Sequence, residues 1–253
     1  MANLGVIRSI TQVGTYEPFE LQVARGQITG HSTVNIYGFQ PTVSTTQIPA
    51  WEVASGYTYP TVATLMNLVS SEAGDTSATV VIQGLDAGFN PISEVLALNG
   101  TTDVVTTKLY LRINSMAVRS GSPAGVITLK DPTNTTTYAR INALIGRTQM
   151  SLYTVPAGHT FFLSRINVYA SLNGFTADFL TYRNVSTLNP SGVRSITQQA
   201  PFTSSYEAQR VMPRPFVEKT DIQLQCRTSA NTAAVSISAE GVLIANAFVG
   251  SNG

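Results

Sequence analysis

The chain has 253 residues with Lys+Arg 15 against Asp+Glu 14, and 11% of it is charged, under half of the roughly 25% typical of soluble domains. Nucleic-acid binding draws on clustered cationic side chains, and a near-neutral chain without a basic stripe argues against it. Cys226 is the only cysteine, which excludes an intrachain disulfide and a thiolate metal cluster.

No run approaches the roughly 18 consecutive apolar residues of a membrane-spanning helix, so no membrane partner is expected. The opening M-A-N-L-G-V-I-R-S-I-T lacks the basic start, apolar stretch and small-residue cleavage site of a secretion signal, and the expectation is synthesis in a cytoplasm. Surface polarity must come from Ser, Thr, Asn and Gln. Such a surface suits permanent contact with other protein better than free diffusion as a monomer.

Residues 1–60 carry little periodicity. The stretch Y-E-P-F-E-L-Q-V-A-R-G reads as a short helical turn or an arm, and Val34, Ile36 and Tyr37 give at most one short strand. A polar stretch from 41 to 60 holds Trp51, Tyr57 and Tyr59. Aromatics in a loop bury a large area at low entropic cost, against either the chain's own core or another subunit.

From 63 onward the pattern is β. Ala63 to Ser70 opens a first sheet. T-V-V-I-Q-G, I-S-E-V-L-A-L and L-Y-L-R-I-N-S-M-A-V follow as successive strands of a meander, with turns at L-D-A-G-F-N-P and N-G-T-T-D. Asn99-Gly100 tolerates the positive φ of a tight hairpin. Alternation puts Leu109, Leu111 and Ile113 on one face and Tyr110, Arg112 and Asn114 on the other, as in a half-buried strand. Residues 126–129 and 138–145 add two strands, with Ile141 and Leu144 as core.

Gly146-Arg147-Thr148-Gln149 is the expected boundary of a second β unit. It begins with 150–155 and F-F-L-S-R-I-N-V-Y-A-S, passes through Pro213 and Pro215, and reaches I-Q-L-Q-C-R, where Ile222, Leu224 and Cys226 alternate cleanly. Cys226 is therefore read as a small core residue. Residues 234–247 form the last strand. Short strands with turn clusters and no amphipathic helix predict an all-β chain of two tandem antiparallel β-sandwich, jelly-roll-like units. The expected limits are an N-terminal arm and aromatic loop at 1–60, units at 61–147 and 148–247, and a loose tail at 248–253.

No catalytic motif emerges. His31 and His159 lie beside glycine in predicted turns, without a second ligand at i+2 to i+4. Asp75, Asp86, Glu94 and Asp103 sit in or near turns, where calcium could in principle bind, but turn aspartates ordinarily hydrogen-bond their own backbone. Glu94 and Glu240 are the strand acids that a two-carboxylate glycosidase would need to face one cleft. The expectation is no catalytic residue, no metal and no cofactor.

The runs Q-V-A-R-G-Q-I-T-G-H-S-T-V-N-I-Y-G-F-Q (22–40), V-V-I-Q-G-L-D-A-G-F-N-P-I-S-E-V-L-A-L-N-G-T-T (80–102), Y-L-R-I-N (110–114), Y-T-V-P-A-G-H-T (153–160) and E-K-T-D-I-Q-L-Q (218–225) resemble, in the same order, a group of small β-rich virion proteins of tailed bacteriophages, particularly aquatic ones. The resemblance implies a structural component of the particle and leaves head or tail open. The first expectation is a capsid decoration or cement protein bound to the major capsid protein, located in the virion and self-associating, with a trimer as the specific form. A tail or neck component and a host-glycan-binding module are the alternatives, the latter using Trp51, Tyr57 and Tyr59 as its platform. Under the first reading the N-terminal region clamps a neighbouring subunit, with Phe19, Val23, Arg25, His31, Tyr37, Phe39, Trp51, Tyr57 and Tyr59 as candidate contacts.

Overall fold

The structure, a computed structural model, describes residues 17–171, 174–183, 195–229 and 232–250. A helix α1 (Phe19–Ala24) precedes strands β1 (His31–Val43), β2 (Ile48–Pro49), β3 (Asn67–Ser70), β4 (Thr79–Leu85), β5 (Pro91–Ala97), β6 (Val104–Val105), β7 (Arg112–Ser120), β8 (Ile127–Lys130) and β9 (Thr137–Ile141). Then come β10 (Leu152–Thr154), β11 (His159–Ala170), β12 (Phe175–Arg183), β13 (Ser195–Phe202), β14 (Ser205–Phe216), β15 (Thr220–Thr228) and β16 (Ala233–Ala245), followed by a 3-10 turn, Asn246–Phe248. The fold is all-β, and every strand pairing in it is antiparallel. No helix among the described residues is long and apolar enough to cross a membrane.

Two sandwiches form, but not in tandem. One packs the sheet β1-β16-β11-β14 on the sheet β10-β15-β12-β13, with β2 also on the β10 side of β15. Its core mixes Ile36 of β1 with Phe161 and Leu163 of β11, Ile222, Leu224 and Cys226 of β15, and Val235 and Ile237 of β16. The other packs β6-β3-β8-β9 on β5-β4-β7 around Leu68, Val80, Ile82, Met116, Ile127 and Leu129. The chain therefore starts the larger sandwich, leaves after β2 to build the smaller one, and returns at β10. The smaller unit is an insertion.

The expected N-terminal arm is thus corrected. β1 pairs with β16 from His31↔Ile244 to Val43↔Ala233 and supplies a full edge strand to the larger sandwich. Near its middle, β1 runs so close to the returning chain that a side chain at Gly38 has no room. An added Cβ would stand 2.2 Å from the Ala50 carbonyl oxygen and 2.5 Å from the Ser151 Cβ, closer than atoms tolerate.

Three local readings also change. The strands 79–85, 91–97 and 112–120 share a sheet, but β4 is its centre. The Asn99-Gly100 turn, closed by the Thr102 N–H on the Asn99 carbonyl, sends β6 across to the opposite sheet. Leu144, expected in the core, lies beyond the end of β9 in an exposed turn. The segment 109–114 is not half-buried by parity: Leu109 is exposed while Tyr110, Leu111, Arg112 and Ile113 are all buried, because this segment is covered on both faces.

α1 starts directly after Pro18 and ends at Gly26, whose φ of +68° is left-handed; proline at a helix start and glycine just past its end are favoured for these reasons. Only Val23 of the helix is buried, and it anchors α1. Gly38→Ala is expected to remove the cooperative urea transition of the chain, whereas Gly26→Asn, at an open left-handed position, is expected to leave it in place. Fluorescence-monitored unfolding distinguishes the two.

Candidate contact surface and unit junction

Three of the nine expected contact residues, Val23, Trp51 and Tyr57, turn inward. Trp51, 2% exposed, and the buried Tyr57 belong to the core of the smaller unit. Their rings meet edge to face at 5.1 Å, and Tyr57 meets Tyr59 the same way at 4.8 Å. The Trp51 indole donates to the Ser55 carbonyl (2.8 Å) and the Tyr57 hydroxyl to the Tyr138 carbonyl (3.1 Å). Tyr59 is half-buried, its ring under the Arg112 guanidinium at 4.6 Å. These aromatics clamp the chain to itself, so neither a neighbouring subunit nor a glycan meets an aromatic platform here. Val23 is buried as well.

The rest of the N-terminal set lies on or near the surface. Phe19 and Leu21 of α1 are 41% and 47% exposed. Phe19 packs edge-on against the His31 ring at 5.9 Å, and Phe248, 53% exposed, stands tilted to the same ring at 6.3 Å. The result is a contiguous aromatic cluster at one end of β1. Phe248, expected in a loose tail, lies in the 3-10 turn instead, and residues 251–253 lie outside the described residues. Arg25 is exposed and pairs with Glu17 at 2.5 Å, an arrangement of small energetic weight in water. Tyr37 is at the surface, its hydroxyl accepting from Ser236 Oγ at 3.3 Å, and the half-buried Phe39 donates its N–H to the Gln149 carbonyl.

The two histidines approach the same sheet end without converging. His31 and Thr160 both stand opposite Ile244, and directly paired residues share a face. His159, next along β11, therefore points to the other face. Each ring nitrogen Nδ1 lies 2.9 Å from a local carbonyl oxygen, that of Thr29 or Ala157.

The turn carboxylates are committed to local donors. Asp75 accepts from Ser70 Oγ (2.6 Å) and from the Ala124 and Gly125 N–H groups (2.9 and 3.0 Å). Asp86 accepts from the Gly88 and Asn90 N–H groups, both at 2.8 Å, and Asp103 from Asn134 at 2.6 Å. Glu94 accepts from the Thr107 N–H and hydroxyl at 2.9 Å each, and it stands in β5 of the smaller unit while Glu240 stands in β16 of the larger. Asp131 is held well below the usual carboxylate range, chiefly by the Thr133 hydroxyl and then by the Thr136 N–H. Among the described residues no group of His, Cys, Asp and Glu could hold a metal ion.

The most demanding chemistry lies between the two units. Arg112 at the start of β7 is 1% exposed and Asp221 of β15 is 0% exposed. Arg112 Nε donates to Asp221 Oδ1 at 2.8 Å and Nη2 to Oδ2 at 3.0 Å, a bidentate fork. Nη1 donates to the carbonyls of Pro60 (3.0 Å) and Leu111 (2.8 Å), and Thr154 Oγ1 donates to Asp221 at 2.5 Å. The guanidinium lies between Tyr59 and Phe89, 4.6 and 5.5 Å from their ring centres. Beside it, Asn114 mimics a paired strand, donating to the Thr154 carbonyl at 3.0 Å and accepting its N–H at 2.9 Å. Phe89, held at a φ of +66° in the turn that Asp86 shapes, accepts the Ala157 N–H at 2.9 Å. L-D-A-G-F-N-P is thus a joint between units as well as a reversal.

Glu52 marks the place where the outgoing and returning chain segments touch. Its Oε1 accepts the Gln149 N–H, and Oε2 has no hydrogen-bond partner. Burial pushes its carboxyl up from 4.5 to about 7, offset in part by the Gln149 N–H, its own N–H and the Arg140 charge.

Sequence reasoning missed Leu144, Val211, Met212 and Phe248 as exposed apolar residues. For Val211 and Met212 a signal existed, an apolar pair just before Pro213 and Pro215 where β14 bulges away from β11 between Gln209 and Arg214. Comparison with protein-family models finds no match, and comparison with curated proteins finds none. Among solved structures, the chain is similar to one of infectious bursal disease virus Gx strain at 14% identity and a TM-score of 0.24, covering 88% of this chain and 72% of that one. It is similar to T=1 particles derived from infectious bursal virus at 12% identity and a TM-score of 0.22, covering 86% and 70%. Scores at this level do not superpose whole folds, and the functional reading rests on the chain's own surfaces.

Because folded Glu52 stays protonated where the unfolded side chain ionises, the folded state binds more protons between about pH 4.5 and 7, and stability falls as pH rises through that window. The penalty above it is on the order of 3 kcal/mol. Glu52→Gln is expected to flatten this dependence and to raise stability at pH 8 relative to wild type. Urea midpoints at pH 5 and pH 8 check it.

Proposed function

We propose that the chain is a non-enzymatic structural protein of a tailed bacteriophage particle, a capsid decoration or cement protein that binds the head shell. The observation that carries this reading is the exposed Phe19–His31–Phe248 cluster, with Leu21 beside Phe19 on α1. Aromatic residues that stay in water on a folded surface mark contact with another protein, and in a chain with so little surface charge such a contact forms without strong electrostatic steering. The resemblance of 22–40, 80–102, 153–160 and 218–225 to phage virion proteins supports the same reading. The mechanism is linkage: a protein that binds the assembled shell and not its separated subunits stabilises the shell in proportion to how fully its sites are filled.

Copy number tests the class directly. Quantitative mass spectrometry of purified particles, against the major shell protein, is expected to find hundreds of copies. A few to a few dozen would place the chain in the tail or neck instead, and none would remove it from the particle. Phe19→Ser with Phe248→Ser is expected to lower binding to bare shells at least tenfold without lowering the melting temperature; unchanged binding would exclude this cluster.

A further inference from the structure

The smaller unit carries a hole and a knob side by side on one face. The hole, about 280 Å³, lies between the end of β7, the 121–125 loop and the turn after β9. Its floor is Ile127 and Ile141, and Val118, Pro123, Leu144 and Gly146 line its walls. It is preformed: the Asp75 carboxylate pins the Ala124 and Gly125 N–H groups at 2.9 and 3.0 Å, and the Gly146 carbonyl accepts the Val118 N–H at 2.8 Å. A cavity fixed in this way loses little entropy when filled.

Leu144 stands on its lip with two unfavourable features. It is 88% exposed, and its φ of +65° lies in the left-handed region, which favours glycine or asparagine over a branched apolar side chain. Ile145 next to it is also exposed. An isolated monomer gains nothing from a large apolar residue held in water in a strained turn. Strain of this kind persists where a binding function uses it.

We infer that this face binds a second copy of the chain across a two-fold axis, with Leu144 of each copy entering the hole of the other. Knob and hole on one patch are self-complementary, which is the condition for an isologous contact. The rim is also complementary in charge. Exposed Arg147 follows Gly146 and exposed Glu72 lies against Gly125, its Cγ 2.9 Å from where a Cβ there would sit, so the two glycines of the lining each carry a neighbour of opposite charge. A two-fold pairing of the face can set each charge against its opposite in the partner copy. The trimer expected earlier rested on symmetry preference alone, and the geometry here favours a pair. The inference stands apart from the particle reading, because a chain that is monomeric in solution and still abundant on shells would overturn only this one.

Analytical ultracentrifugation of the full chain tests it. Wild type is expected to show a concentration-dependent monomer–dimer equilibrium. Leu144→Gly, which removes the knob and suits the left-handed turn, and Ser122→Trp, which fills the hole, are each expected to raise the dissociation constant at least tenfold. Leu144→Gly should melt no lower than wild type, which separates lost binding from misfolding. A wild-type monomer up to about 1 mM, the weak end of specific affinity, would overturn the inference, as would association unchanged by both variants or a trimer in place of a dimer. A wild-type monomer that takes up benzene in the hole would identify a small apolar ligand as the occupant and would overturn it equally.

Discussion

Two opposite charges removed from water hold the two halves of this protein in one arrangement. A buried ion pair is costly unless both partners are fully satisfied, and here the guanidinium fork of Arg112 meets both oxygens of Asp221 while its remaining donor reaches two carbonyls. Thr154 adds a donor to the carboxylate and two aromatic rings cover the guanidinium. Leaving either charge without the other would cost far more than the pair contributes, so the interaction acts mainly as a specificity device. Only one relative placement of the units satisfies it.

The topology explains why such a device is needed. An inserted unit is tied to its host by two chain crossings, here the segments around 50–60 and 146–151. Without further contacts it would move as a separate body. The Gly38 approach to Ala50 and Ser151 and the Glu52 bond to Gln149 lie at these crossings, and the Asn114–Thr154 clasp and the Phe89–Ala157 contact join the units beyond them. They convert a tether into an interface. The surfaces left for other molecules are then the aromatic cluster of α1 and Phe248 on the larger sandwich and the Leu144 face on the smaller.

Period-two alternation made much of the β content legible. Ile222, Leu224 and Cys226 do line a core, and Cys226 is a small buried residue as its parity indicates. Local pattern could not reveal β1, because its partner strand lies about two hundred residues away, with His31 opposite Ile244; T-V-N-I-Y-G-F carries only a short apolar signal. Parity misled at Arg112, where a charge in a strand ordinarily marks the solvent face. It marked instead a second buried face, whose cover comes from a different unit. Leu144 misled for a related reason: an apolar residue after a strand reads as core, and nothing local shows that the strand ends at Ile141. Loop aromatics such as Trp51 and Tyr57 read as clamped against some surface, a neighbouring subunit among the candidates, and only the fold shows that the surface is the chain's own core.

Differential scanning calorimetry of wild type and Arg112→Leu tests most directly whether the buried pair makes one body of the two sandwiches. The account predicts a single wild-type transition with equal calorimetric and van 't Hoff enthalpies, and two separable transitions in the variant as the inserted unit melts apart from its host. Two transitions already present in wild type, or one undivided transition in Arg112→Leu, would contradict it.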